Sequence, residues 1–337
     1  MSHRAWGVLA IVAASCGQGG GTTAGGKAER SGSPAPAPGP AAPGSADPAA
    51  ERPGCEPLAF AASTPVPEAS GGAWLTIDGK PELVVVGDSG NHGAYGIIDP
   101  ETGQTLETGE LPLSDEAGDD IEGISAHGDL IYGLTSAGWV RVWRRTAPGA
   151  GTAGPGSPRR LPGRFELVTR PYPLGPVDLP DTKNNSRAPV GDGMVCNAHI
   201  ANCGRNYEGL CLAHAPRSAA CIGFAASKAD GHLYCLTDEA GKLVVHHDRA
   251  IAITRPGALA DCAFGDDDTL WVGNNLFDLG RVYRVARWDD PANAAVEPVG
   301  ALAVGFPELI AVRGDIVYRM SDTGGSPSLM ARFRCRR

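Results

Sequence analysis

The chain has 337 residues, a formal charge of −9 and no Lys/Arg cluster able to track a phosphate backbone, which argues against nucleic acid as a partner. Charged residues make up 20% and aromatics 6%, while 47 Gly and 28 Pro favour a turn-rich β protein over a helical one. The length suits one large domain or two ordinary ones.

The chain opens on an export signal. His3 and Arg4 supply a short positive region, and the apolar run "WGVLAIVAA" (6–14) is too short to span a bilayer as a helix. It ends in "VAASC", with small residues before Cys16. This resembles the lipobox of bacterial lipoproteins, with Ala13 where Leu is usual. The resemblance implies lipid on Cys16, loss of residues 1–15 and anchorage in a membrane. Gly17 stands where an aspartate would favour inner-membrane retention, so the resemblance leans towards the outer membrane. Residues 17–54 are Gly, Ala, Pro and Ser with almost no large apolar side chains. Such a segment cannot bury a core and reads as a disordered tether reaching roughly 35 Å.

From residue 55 onward one phrase recurs: "ELVVVGDSGNHG" (82–93), "DLIYGLTSAGW" (129–139), "HLYCLTDEAGK" (232–242), "TLWVGNNLFDLG" (269–280) and "DIVYRMSDTGG" (315–325). Each is an apolar β-rich core, then Asp, Asn, Ser or Thr, then a Gly turn. Aligned as second strands, they recur at roughly 40 residues, the span of one four-stranded blade. "FELVTRPYPL" (165–174) and "AIAITRPGAL" (250–259) read as fourth strands. The fold expected over 55–337 is therefore an all-β propeller of five or six blades. A β-sandwich would not repeat one phrase at this period. The double-length gap between the second and third phrases holds a degenerate sixth blade or an insertion, and the Pro/Gly/Asn-rich run 148–206 favours the insertion. "CEPLAFAAST" (55–64) precedes the first blade as a lone strand, and "SLMARFRCRR" (328–337) ends the chain as a third strand. Pairing the two would complete the last blade and close the ring.

With Cys16 carrying lipid, eight cysteines remain, an even set that argues for disulfides in an exported chain. The expected pairs are Cys55–Cys335 from ring closure, Cys196–Cys203 and Cys211–Cys221 as local bridges, and Cys235–Cys262 as the remainder. "CNAH" (196–199) and "CLAH" (211–214) also have zinc-ligand spacing, but Cys203 would be left over inside such a site.

"DDIEGISAHGDLIYGLTS" (119–136) and "NYEGLCLA" (206–213) resemble the phytase-like propeller superfamily, including the esterase-like phytase domains, in which an "EGL/EGI" strand commonly opens a blade. Aligning first strands places Glu122, Glu208, Asp261 and Glu308 at one position facing the axis. Like charges that close need a cation, protons or basic partners. Oxygen-only ligands suit calcium, which the resemblance also implies. The alternative role for these acids is to bond strand-end backbone or a neighbouring blade. Asp88, Thr135, Asp238, Asn274 and Asp322 end the second strands and read as turn caps. No G-x-S-x-G, H-E-x-x-H or P-loop is present. Two functions follow. One is a surface-tethered, calcium-stabilised binding or scaffolding module for a protein or small-molecule ligand. The other, implied by the resemblance, is a calcium-dependent phosphoester or ester hydrolase.

Overall fold

The computed structural model describes residues 54–146, 164–179, 193–216, 220–275 and 280–336. Cys16 and nearly all of the tether lie outside the described residues. Two short strands come first, β1 (Cys55–Leu58) and β2 (Ser63–Pro67). Blade 1 follows as β3 (Ala69–Ile77), β4 (Lys80–Gly87), β5 (Ala94–Ile98) and β6 (Thr105–Glu110). Blade 2 is β7 (Ile121–His127), β8 (Leu130–Thr135), β9 (Trp139–Thr146) and β10 (Arg164–Leu167), with β11 (Tyr172–Pro173) also on β9. A separate parallel pair joins β12 (Val177–Leu179) to β13 (Val195–Cys196). Blade 3 is β14 (Tyr207–Leu212), β15 (Gly223–Ser227), β16 (His232–Glu239) and β17 (Lys242–Ala252). Blade 4 is β18 (Leu259–Phe264), β19 (Leu270–Asn274), β20 (Arg281–Ala286) and β21 (Ala295–Ala301). Blade 5 is β22 (Phe306–Arg313), β23 (Ile316–Asp322) and β24 (Pro327–Cys335).

The first strands β3, β7, β14, β18 and β22 touch one another in sequence, and β22 returns to β3. That closed circuit is a five-bladed propeller, all-β and without an α-helix among the described residues. β1 pairs antiparallel with β24 and supplies the fourth strand of blade 5, with Cys55 opposite Cys335 and bonded to it. The ring thus closes as the lone N-terminal strand suggests. β2 pairs with the first part of β24, Ser63 opposite Leu329.

Local chemistry explains the hairpins. Asp78 and Gly79 join β3 to β4 with φ of 49° and 75°. Two successive left-handed residues make the turn whose twist matches antiparallel strands, and Asp-Gly is its favoured pair. β4 then reads "LVVV", buried throughout, because both faces of a second strand are covered by adjacent blades.

The recurrent "EG" has a steric cause. A Cβ built on Gly71 would lie 2.7 Å from the amide nitrogen of Ile124 in the next blade. One on Gly209 would lie 2.8 Å from the Cα of Asp261, and one on Gly123 would collide with the backbone of Leu210. Only glycine lets neighbouring inner strands approach backbone to backbone near the axis. Gly123→Ala is therefore expected to cost about 3 kcal/mol or more, read as a lowered urea midpoint with unchanged slope.

Blade 3 corrects the phasing. "HLYCLTDEAGK" is its third strand, β16, and the second is β15, "GFAAS". "AIA" of the expected fourth strand is the end of β17. β15 escapes the repeat because Gly223, Ala225 and Ala226 supply none of the bulky residues that mark the other second strands. Five blades account for every sheet longer than two strands among the described residues. Among the described residues the gap after the second phrase therefore holds the rest of blade 2, the β12–β13 pair and the first two strands of blade 3, and no sixth blade.

All eight cysteines are bonded. Cys55–Cys335 and Cys196–Cys203 match expectation, and the other two pairs are Cys211–Cys262 and Cys221–Cys235. The expected Cys211–Cys221 and Cys235–Cys262 bridges are thus exchanged. Cys211 and Cys262 lie on adjacent inner strands, 5.6 Å apart at Cα. Cys235 sits two strands out from Cys211 in the same row, across Phe224. Two strand spacings of about 4.8 Å put it beyond the reach of a disulfide to the next inner strand. Four disulfides befit an oxidising, extracytoplasmic setting. No described helix is long and apolar enough to cross a membrane.

Candidate axial cation site

Every inner strand carries a β-bulge near its start. The bulged residues are Ser70, Glu122, Glu208, Ala260 and Glu308, where the register shifts against the second strand. A bulge re-aims one side chain, here inward at the channel mouth. Glu122, Glu208 and Glu308 therefore share one level. Asp261 stands one residue later, at the level of Gly71, Gly123 and Gly209. Its carboxylate accepts from the amides of Cys262 at 2.7 Å and Ile310 at 3.1 Å, between blades 4 and 5.

One residue past the partner of each pre-bulge position stands a second ring: Asp88, Ser136, Lys228, Asn275 and Asp322, the last still paired, opposite Phe306. The amides of Asp88, Lys228 and Asn275 each bond the carbonyl two residues before their blade's bulge, at Glu68, Asn206 and Ala258. Thr135 and Asn274 instead cap turns, accepting from the amides of Trp139 and Arg281, and Asp238 caps Gly241 at the end of β16. Lys228 takes the place that Asp238 was expected to fill. It was hidden by the misphased blade.

The two rings divide the mouth into unequal halves. On one side the Lys228 ammonium donates to Glu208 at 2.8 Å and lies 3.5 Å from Glu308, to which the Asn275 amide donates at 3.2 Å. Burial acts to lower Lys228, but Glu208 and Glu308 outweigh it and hold the amine charged above its usual range. On the other side Asp88, Asp120 and Glu122 bring one oxygen each within 4.8 Å of one another. Among the described residues no Lys or Arg forms an ion pair with these three. Arg141 lies nearby but spends its Nη2 on the carbonyls of Ala117 and Gly118.

Asp120 is held by a short hydrogen bond from the Ser136 hydroxyl to one oxygen. Its other oxygen is buried with no partner. Burial, then the charges of Glu208, Asp88 and Asp120, pushes Glu122 well above the carboxylate range. Burial also raises Asp88 to about 7, opposed by the Ser89 amide and reinforced by Asp120 and Glu308. Asp120 is raised for the same first reason. Three carboxyls that crowd and resist ionisation can be relieved by protons or by a cation. All the donors are oxygen, the set calcium takes.

Beneath the acids the axis narrows to a 30 Å³ space walled by Ile124, Leu210, Cys262 and Ala311. A 910 Å³ groove lies beside the trio, lined by His92, Tyr95, Asp119, Phe165 and His199. A 660 Å³ cavity on the opposite face is lined by Trp74, Arg145, His214 and Arg313.

No protein-family model matches the chain, and no curated protein matches it. Among solved structures it is similar to Myxococcus xanthus glutaminyl cyclase, at 11% identity over 85% of this chain and 98% of that one, TM-score 0.47. It is likewise similar to a luciferin-regenerating enzyme, at 11% identity over 84% and 95%, TM-score 0.44. A calcium-binding regucalcin from Agrobacterium tumefaciens aligns at 10% identity over 83% and 97%, TM-score 0.39. These likenesses concern the course of the chain alone.

Proposed function

We propose that this chain is an exported, lipid-anchored five-bladed propeller that binds one calcium ion on its axis and serves as a calcium-stabilised binding module at the cell envelope. The observation that carries the reading is the Asp88–Asp120–Glu122 trio, compact, with Asp120 and Glu122 buried and Asp88 half-buried, without an ion pair among the described residues and with one Asp120 oxygen unpartnered. Glu208 and Glu308, which the sequence pattern groups with Glu122, share the Lys228 ammonium and so stand outside the ligand set. The narrow 30 Å³ space along the axis favours a structural ion that stiffens the mouth over one that meets substrate. Four disulfides support export, and the lipobox-like "VAASC" supports an anchor at Cys16, with the outer membrane favoured. The partner in this reading is a protein or small molecule presented at the membrane surface.

Calorimetric titration of the purified chain tests the core of this reading. One equivalent of Ca²⁺ is expected to bind, and Glu122→Gln to lose it. A flat titration of the wild type would sink the proposal. Calcium-dependent turnover of phytate or simple esters, lost in Glu122→Gln, would favour the hydrolase that the phytase-like resemblance implies. The anchor is tested separately by mass spectrometry of membrane-fraction protein. Cys16 is expected as a lipidated N-terminus, and an unmodified Cys16 would refute it.

A further inference from the structure

We infer that Asn206 supplies a fourth protein oxygen to the axial site, a neutral one that suits the site to calcium. The inference rests on the calcium reading above. Asn206 stands two residues before the bulged Glu208, as Asp120 stands two before the bulged Glu122 in the adjacent blade. The two positions are therefore equivalent around the ring. Asn206 is 1% exposed. Its backbone is left-handed, φ 48°, a conformation asparagine tolerates better than most residues.

The amide has only one orientation that meets its neighbours. Its Nδ2 donates to Glu208 Oε1 at 2.9 Å. Oδ1 is then the opposite end of the group, and it is buried with no partner. A buried acceptor left unbonded costs free energy, so its presence asks for a ligand. The neighbours place it by the trio. Ser136, whose hydroxyl holds Asp120, accepts at its carbonyl from the amide of Tyr207, the residue after Asn206. The same hydroxyl accepts from the Asn202 amide at 2.8 Å. Glu208, the partner of Asn206, is the charge that bears most on Glu122. Asp120 Oδ1 and Asn206 Oδ1 are thus two orphaned buried oxygens at equivalent positions in neighbouring blades.

A metal that takes three carboxylates and an amide oxygen is a hard cation. Calcium accepts six to eight such oxygens in flexible geometry, whereas magnesium demands a near-ideal octahedron and keeps several waters. Four protein donors fixed to three blades, Asp88 after β4, Asp120 and Glu122 at the start of β7 and Asn206 before β14, cannot all contract to the shorter magnesium distances without moving blades. Asn206 is accordingly a specificity-determining ligand as well as a fourth donor.

Calorimetry with Ca²⁺ and Mg²⁺ on wild type, Asn206→Ala and Asn206→Asp decides it. Asn206→Ala is expected to weaken Ca²⁺ at least about tenfold, the scale of a lost metal-site partner, and to narrow the preference over Mg²⁺. Asn206→Asp restores an oxygen but cannot donate to Glu208. It should bind Ca²⁺ at least about tenfold more tightly than the alanine variant. Wild-type affinity in Asn206→Ala overturns the inference. So does an aspartate variant no better than alanine, because Asn206 then acts only through its bond to Glu208. Should the alanine variant not fold, the aspartate variant is read against wild type: retained Ca²⁺ binding supports the inference, and lost binding overturns it. Wild type that binds neither ion fails the calcium reading itself, an outcome distinct from either variant result.

Discussion

Calcium is expected to raise the melting temperature of this protein strongly at pH 8 and hardly at all at pH 5. A ligand that binds only the native state stabilises by RT ln(1 + [L]/Kd), about 2.7 kcal/mol at a hundredfold excess. For a propeller of this size that is roughly 5 °C. Protons compete for the same oxygens. Asp88 is raised to about 7 by burial, so at pH 5 it must release a proton to bind. That lowers the apparent affinity about a hundredfold for this one group. The same calcium concentration then equals Kd, and the gain falls to about 0.4 kcal/mol. Glu122 and Asp120, also raised, deepen the loss.

The cation-free protein shows the reverse dependence. A carboxyl whose native pKa lies above its unfolded value binds more protons when folded, so stability falls as pH rises between the two values. For Asp88 that window runs from 3.8 to about 7. EDTA-treated protein should therefore lose stability from pH 4 towards neutrality, while Asp230, held low by His232, Tyr234, Ser227 and Arg205 against burial, gives its own contribution up only at stronger acid. Differential scanning calorimetry across pH 5–8, with EDTA or Ca²⁺, reads both trends. A calcium shift equal at both ends of that range would show that the trio does not hold the ion.

How far the sequence leads is visible in the same residues. The blade phrase repeats because each second strand must be apolar on both faces and must end in a turn, and this shows for β4, β8, β19 and β23. Blade 3 breaks the pattern. Its second strand is built of Gly and Ala, while its third imitates a second, so Lys228 went unplaced. Glu122, Glu208 and Glu308 were legible as axial from the "EG" and "PE" steps. Asp261 was not separable from them, because a bulge adds one residue and flips the faces without a mark in composition. Asp88 and Asp120, which complete the trio with Glu122, lay in view, one read as a turn cap and the other as the neighbour of a motif. Their convergence depends on blades meeting at the axis, which no single segment encodes. The "D-x-E" and "N-x-E" spacings were the available signal for Asp120 and Asn206.

Breaking Cys55–Cys335 should produce the largest loss of stability of any single disulfide here. The bond spans 280 residues of sequence, whereas the others span 7, 51 and 14. In the chain-entropy model the longest loop restrains the unfolded state most, by roughly 5 kcal/mol as an upper value. The bond also sits where it matters in the fold. β1 is the outer strand of blade 5, four residues long and held to β24 by its ladder and this bridge. Without the bridge the ladder can still form, and β2 keeps a second grip on β24 through the pairs Ser63–Leu329 and Thr64–Ser328. Cys55→Ser is therefore expected to fold, with its melting temperature lowered by up to roughly 10 °C. Cys335→Ser should match it, and the double variant should add nothing, because each removes the same bond. Deleting residues 55–67 is a different matter: it strips both strands from β24 and leaves a long sheet edge open at the seam. That variant should not give a soluble monomer. If Cys55→Ser melts with wild type, strand pairing alone closes the ring. If it fails to fold, the bridge is needed to bring the two ends together and the ladder of β1 is too short to do so.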